Sequence, residues 1–286
     1  IRKMNILTID GNNLVHRVYW VANNMLKKDE NFHVYMFLNS VRSYAEMYNA
    51  ERVYCVWDEK PDYKPNKRKE LLTEYKGTRD TSEKGREVHQ KNELIKDILQ
   101  KMGIPSIYPR EYEADDAIAV IDYLFHPHKH IIVTVDKDLC QLVSERTVVY
   151  DTIRKIEINL DNFKEILKFP KEQFLRAKAI AGDKSDNIPG IKGFGQKKIE
   201  KFFKGEVVFT EDEKQQFEKN VELMTLVDDG PEGDYVYEQI DTCSFDTDWE
   251  GFKSQIKELK FTNILKKEMP WYTRFFQTNS LIDLLS

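Results

Sequence analysis

Two aspartates three residues apart, Asp183 and Asp186, stand just before the turn PGIKGFG, which carries Gly190, Gly193 and Gly195. Carboxylates at this spacing can hold a hard cation. The turn opens a basic helix beginning Gln196, Lys197, Lys198, whose first backbone N–H groups lack intrahelical acceptors and can meet a phosphate. A metal-binding edge beside a phosphate-binding edge suggests chemistry on a nucleic-acid backbone. The other ligands and the substrate grip must come from elsewhere in the chain.

Segments that read as strand ends supply more acids. Asn5 to Asp10 (NILTID) reads as a buried parallel strand with Asp10 at its carboxyl end, where open α/β sheets bind ligands. Arg52 to Asp58 (RVYCVWD) repeats the pattern and ends on Asp58. His130 to Asp138 (HIIVTVDKD) is a third such strand, ending in the Asp136 and Asp138 pair, although Asp-x-Asp also occurs in hydrogen-bonded turns. In Tyr112 to Phe125 (YEADDAIAVIDYLF), Glu113, Asp115 and Asp116 crowd the first turn of a core-facing helix. The helix dipole accounts for one or two of these acids, but three together repel one another unless a cation intervenes.

The elements that must position these groups follow from periodicity. Helical spacing runs through Asn31 to Ala50, Val88 to Met102, Lys171 to Ala181, Glu211 to Val227 and Phe252 to Lys267. Thr147 to Asp151 and Lys155 to Asn159 read as a β-hairpin, and Pro231 to Asp241 as a loop or short strand. Aromatic and leucine anchors in the tail MPWYTRFFQTNSLIDLLS are expected to dock on the core. The expected divisions are a core over residues 4–160, a subdomain over 161–227 that carries the phosphate-binding turn and a region over 228–286 that packs on the core.

Composition sets the class. With 286 residues, 41% of them hydrophobic, the chain can bury a substantial core. No apolar run nears the roughly 20 residues needed to span a bilayer, and no secretory signal pattern opens the chain, so a cytoplasmic location and no membrane partner are expected. Met4 reads as the natural start. Cys55, Cys140 and Cys243 have neither disulfide nor zinc spacing and read as reduced. The net charge is −5, but Lys60 to Lys91 holds ten Lys or Arg against six Asp or Glu. This basic stretch lacks a strong apolar stripe and fits either a solvated surface or, with Tyr63 and Tyr75 interleaved, single-stranded nucleic acid.

Taken singly, most of these acids suit structural roles. Together, Asp10, Asp58, Glu113, Asp115, Asp116, Asp136, Asp138, Asp183 and Asp186 are nine carboxylates. Carboxylate-only ligation favours Mg²⁺ or Mn²⁺, and the lack of a His/Cys cluster argues against zinc. Two such ions about 3.5 to 4 Å apart can activate a water and stabilise a leaving oxygen.

The ordered motifs IDGNN, WDEK, EYKGTRD, YEADD, TVDKD, GDKSDNIPG and GFG, spanning about Asn5 to Val227, resemble those of the 5′-nuclease (flap endonuclease) superfamily. The chain looks most like the stand-alone bacteriophage-type 5′ to 3′ exonucleases and is similar to the 5′-nuclease domain of bacterial DNA polymerase I. The resemblance implies an α/β fold: a mixed, mostly parallel PIN-like sheet flanked by helices, with a helical arch over about residues 60–91 and a helix-hairpin-helix or helix-three-turn-helix subdomain. It assigns Asp10, Asp58, Glu113, Asp115 and Asp116 to one metal cluster, and Asp136, Asp138, Asp183 and Asp186 to a second. Lys76 and Arg79 would contact the scissile phosphate, Tyr75 would stack on a base and Arg17 would bind substrate. The hairpin would hold duplex DNA and a K⁺ ion.

Lys137 between two aspartates and the bulky Trp57 before Asp58 depart from the family pattern, yet neither removes a ligand. The implied partners are DNA with a 5′ flap, overhang or RNA primer and a replisome protein such as a polymerase or single-strand-binding protein, with the chain a monomer. Two alternatives stand beside a flap nuclease: a PIN-like ribonuclease and a noncatalytic junction-binding protein.

Overall fold

The computed structural model describes residues 2–26, 29–58, 66–77 and 91–277. The expected arch, including Tyr63 and Arg79, lies mostly outside the described residues.

In chain order the elements are β1 (Asn5–Asp10), α1 (Gly11–Leu26), α2 (Phe32–Met47), β2 (Arg52–Val56), α3 (Arg68–Leu71), α4 (Asn92–Lys101), β3 (Ser106–Ile107) and α5 (Ala114–Leu124). They continue with β4 (Lys129–Thr134), β5 (Thr147–Asp151), β6 (Ile156–Ile158), α6 (Phe163–Leu167), α7 (Lys171–Ala181), α8 (Gln196–Phe203), α9 (Glu211–Met224), α10 (Gly230–Thr242), α11 (Trp249–Glu258), α12 (Thr262–Lys266) and α13 (Glu268–Trp271).

The six strands form one sheet in the order β3-β2-β1-β4-β5-β6, parallel except for the β5–β6 hairpin. This is the expected mixed, mostly parallel sheet. Strands buried on both faces need continuous apolar runs, and alternate residues serve opposite sides. Leu7, Ile9, Cys55, Ile131 and Val133 join the core beneath α1, α2, α4 and α11. Ile6, Tyr54, Val56, Ile132 and Val149 face the core beneath α5, α6, α7 and α10. The chain reverses its direction of sheet growth between β1 and β4, so their carboxyl ends flank a switch-point crevice.

Trp57 is a wall of the core rather than part of the crevice. It is fully buried, its ring stacks on Phe37 at 5.9 Å and its indole N–H donates to Ser106 Oγ at 3.1 Å. A Cβ on Gly11 would lie 2.7 Å from the indole, which explains the glycine following Asp10.

Two expectations are corrected. Residues 231–241 are helical, not a loop or strand: Pro231 occupies the first turn of α10, where its missing N–H costs nothing, and Val236 is buried against the α5 side of the sheet. The single helix expected over 252–267 is broken between α11 and α12, where Lys260 adopts a left-handed φ of 59°. Phe252, Ile256, Phe261, Ile264, Trp271 and Phe276 from this region all enter the first core.

Candidate metal and nucleic-acid site

The carboxyl ends of β1, β2 and β4 and the first turn of α5 converge on a cavity of about 270 Å³. Asp10, Asn12, Asn13, His16, Asp58, Lys76, Glu113, Asp115 and Asp136 line it. Asp10 is held by Thr134 Oγ1, which donates at 2.8 Å, and by the Asn13 N–H at 3.1 Å. Asp58 accepts from the Ala114 N–H at 2.7 Å, which ties β2 to the start of α5. Burial pushes Asp10 up to about 7; Asp58 and Asp136 add repulsion, and hydrogen bonds from Thr134 and Asn13 oppose it. Asp115 is driven well above the usual range by burial and by the neighbouring Asp136 and Asp10 carboxylates. Acids that raise one another in this way are stabilised as anions by a cation among them.

A narrower adjoining cavity shares Lys76, Glu113, Asp115 and Asp136 with the first and adds Arg68, Tyr75, Asp138 and Asp186. Asp138, Asp183 and Asp186 offer carboxylate oxygens within 4.8 Å of one another. Burial and repulsion from Asp136 and Asp183 push Asp138 up to about 6, with Lys178 pulling the other way. Asp183, despite partial burial, is held down at about 2 by Lys178 and Ser185. Asp136, assigned by resemblance to the second cluster, lines both cavities. An all-oxygen, all-carboxylate donor set fits hard divalent cations.

Lys76 sits where the two cavities meet. Its backbone adopts a left-handed φ of 54° and donates to the Asp186 carbonyl at 3.1 Å. Its ammonium pairs with Glu113 and lies 3.9 Å from Asp186 Oδ2. Glu113 is lowered although burial opposes it, because Lys76, Arg68 and the Tyr75 hydroxyl all stabilise its anion.

Two expected roles are revised, those of Asp116 and Tyr75. Asp116 lines neither cavity: it is fully buried, and Arg68 Nη1 and Nη2 grip its two oxygens at 2.7 Å each. The Glu113 and Val227 N–H groups donate to the same carboxylate, so its acceptor capacity is consumed. Tyr75 is only 3% exposed and packs with Ala179, Ile188, Leu223 and Met224, so its ring has no open face for a base. Its hydroxyl donates to Glu113 Oε2 at 2.7 Å instead. Arg17 lines neither cavity and hydrogen-bonds Tyr44 of α2, while His16 faces the first cavity. Lys137 is exposed and leaves the Asp136 and Asp138 pair clear.

The glycine turn joins α7 to α8. A Cβ on Gly190 would lie 2.2 Å from the Ala181 carbonyl oxygen, and one on Gly182, at φ 76°, would lie 2.3 Å from the Gly190 nitrogen. These two glycines let the turn close on the end of α7. Gly193, at φ 79°, and Gly195 face open space, and Gln196 and Lys197 are exposed at the start of α8. Lys198 lies over the Phe194 ring at 3.8 Å.

Sequence reasoning missed Arg68, Lys178, His16 and Thr134. Arg68 and Lys178 lay in segments read only as basic or helical: Arg68 meets Asp116 from 48 residues away, and Lys178 joins the nearby Asp183 to Asp138, 40 residues back.

A mixed α/β sheet with a carboxylate-lined crevice at its switch point defines the PIN-like nuclease fold class. A solved bacteriophage T5 5′-exonuclease, with divalent zinc bound, has the same fold at a TM-score of 0.62 and 23% identity, covering 90% of this chain and 98% of that one. The chain belongs to the 5′-3′ exonuclease family: residues 5–168, more than half its length, match the family's N-terminal resolvase-like domain. It is 35% identical over 195 residues to a 5′-3′ exonuclease of Mycoplasmopsis pulmonis, covering 67% of this chain and 63% of that protein. It is 30% identical over 207 residues to DNA polymerase I of Streptococcus pneumoniae strain R6, covering 68% of this chain and 23% of the polymerase.

Proposed function

We propose that this chain is a structure-specific 5′ nuclease that hydrolyses phosphodiesters near the junction of duplex and 5′ single strand, removing flaps or RNA primers during DNA replication. The observation that carries this reading is the carboxylate-lined crevice beside a glycine turn that opens an exposed basic helix. Family membership and relatives named 5′-3′ exonuclease and DNA polymerase I support it.

In this reading Asp10, Asp58, Glu113, Asp115 and Asp136 hold one Mg²⁺ or Mn²⁺, and Asp138, Asp183 and Asp186 hold a second, directly or through water. Bound there, the ions supply water activation and charge neutralisation at the leaving oxygen. Asn13 and Thr134 keep Asp10 aimed into the crevice. Lys76, at the meeting point of the cavities, moves from Glu113 to the scissile phosphate, and Arg79 assists it. N–H groups at the start of α8, with Lys197, hold a duplex phosphate, and the carbonyls of the turn hold K⁺.

The test is cleavage of a labelled 5′-flap duplex with Mg²⁺ and with EDTA, run beside single-stranded RNA of the same sequence. Products near the junction only with metal support a flap nuclease. Preference for the RNA strand points to a PIN-like ribonuclease, and binding without cleavage in Mg²⁺ or Mn²⁺ points to a noncatalytic junction binder.

A further inference from the structure

Lys178 lies on α7, and its ammonium bridges two acids of the second cluster. It is ion-paired with Asp138 and lies 2.8 Å from Asp183 Oδ2. These are two of the three carboxylates whose oxygens converge within 4.8 Å. The Lys178 side chain is only 18% exposed, and neighbouring Ala177, Ala179 and Ile180 are buried, so the helix delivers this ammonium to the cluster from within the fold. The side chain therefore occupies oxygens that an entering cation would need. One positive charge there offsets part of the repulsion among three crowded acids.

We infer that Lys178 is a built-in counter-cation that competes with the divalent ion for Asp138 and Asp183. It stabilises the metal-free cluster and must release at least one carboxylate when metal enters. The inference rests on the metal-dependent reading above and adds a determinant of metal affinity. Lys178 is a positioning residue in this account, not a ligand. Removing its charge strengthens divalent binding at the second cluster and weakens the metal-free fold, so the two effects have opposite signs. A merely structural lysine would weaken both.

The test is a Mn²⁺ titration of the full chain, followed by electron paramagnetic resonance of the free ion, for wild type, Lys178→Met and Lys178→Arg. Lys178→Met is expected to tighten the weaker Mn²⁺ binding step by about tenfold or more, because a cation at contact distance is lost from the cluster. Lys178→Arg keeps the charge and should stay near wild type. In thermal melts Lys178→Met should lower Tm in EDTA, and the gap should narrow at saturating Mn²⁺. Lys178→Gln serves the same comparison if the Met variant does not fold.

Unchanged or weaker Mn²⁺ binding in the folded, charge-removed variant would overturn the counter-cation role while leaving the metal reading intact. No Mn²⁺ binding by wild type would overturn the metal reading and this inference with it.

Discussion

Asp116 and Arg68 form a two-pronged ion pair, with both nitrogen–oxygen distances 2.7 Å and residue exposures of 0% and 4%. Arg68 also donates to the Leu223 and Thr225 carbonyls, at 2.7 and 2.9 Å, where the chain leaves α9. The acid-rich first turn of α5, the short α3 and the end of α9 are thus fastened at one buried point. Removing one partner leaves the other charge buried without its closest counter-ion, so Arg68→Met or Asp116→Ala should each cost about 3 to 5 kcal/mol of stability by denaturant unfolding. The double variant should cost less than the sum of the two. Loss of Mn²⁺ binding in Asp116→Asn without loss of stability would return Asp116 to the ligand set.

In the proposed function Lys76 serves the chemistry rather than the grip. Its ammonium is paired with Glu113 at the junction of the two cavities, within reach of a phosphate bound between the two proposed ions. Lys76→Ala should slow single-turnover flap cleavage by about 100-fold. Flap affinity in Ca²⁺ should change far less; a comparable loss in binding would move Lys76 to the substrate grip.

The glycines of the turn differ in what they tolerate. Gly190→Ala would drive a methyl group into the Ala181 carbonyl, at a cost of about 3 kcal/mol or more. At Gly195, where a Cβ meets nothing within 4 Å, alanine should cost at most about 1 kcal/mol, mainly through a poorer helix N-cap. Thermal melts of the two variants test the difference, and equal losses would refute the packing assignment of Gly190.

Asp122 gives the fold an acid-sensitive contact remote from the crevice. Burial raises its carboxyl, but hydrogen bonds from His130 and Thr147 and the Arg146 charge outweigh that and hold it below the ordinary value of 3.8. Its His130 and Arg146 contacts are each 2.8 Å and its Thr147 contact is 2.6 Å. A depressed folded-state value means that this stabilisation is present above 3.8 and is lost as pH falls through the folded value. Asp122→Asn should therefore be less stable than wild type at neutral pH, with the gap shrinking under acid. A gap that widened as pH fell would contradict the assignment.

The crevice was legible because each strand announces itself locally: an apolar run such as NILTI or HIIVT ends where the next acid must face the sheet edge. The turn was legible because Gly193 needs a backbone conformation that few residues adopt. Arg68 was hidden within a segment whose composition reads as solvated, and its burial depends on carbonyls about 155 residues further on. Tyr75 looked like a stacking ring because alternation with Lys and Arg does not reveal which face is covered by Leu223 and Met224. The α10 helix was obscured by its opening glycines and proline, which are strong turn signals, while the burial of Val236 that favours the helix is tertiary. Asp115 and Asp116, adjacent in sequence, point to different surroundings because neighbouring helical positions lie about 100° apart.

The measurement that tests the central claim most directly is single-turnover cleavage of a labelled 5′-flap duplex by wild type and Asp115→Asn in Mg²⁺, with binding of the same duplex in Ca²⁺. The account predicts junction-proximal products from wild type, loss of at least about 100-fold in the variant's rate, and nearly equal binding. Wild-type binding without cleavage, or an Asp115→Asn chain that cuts as fast as wild type, would contradict it.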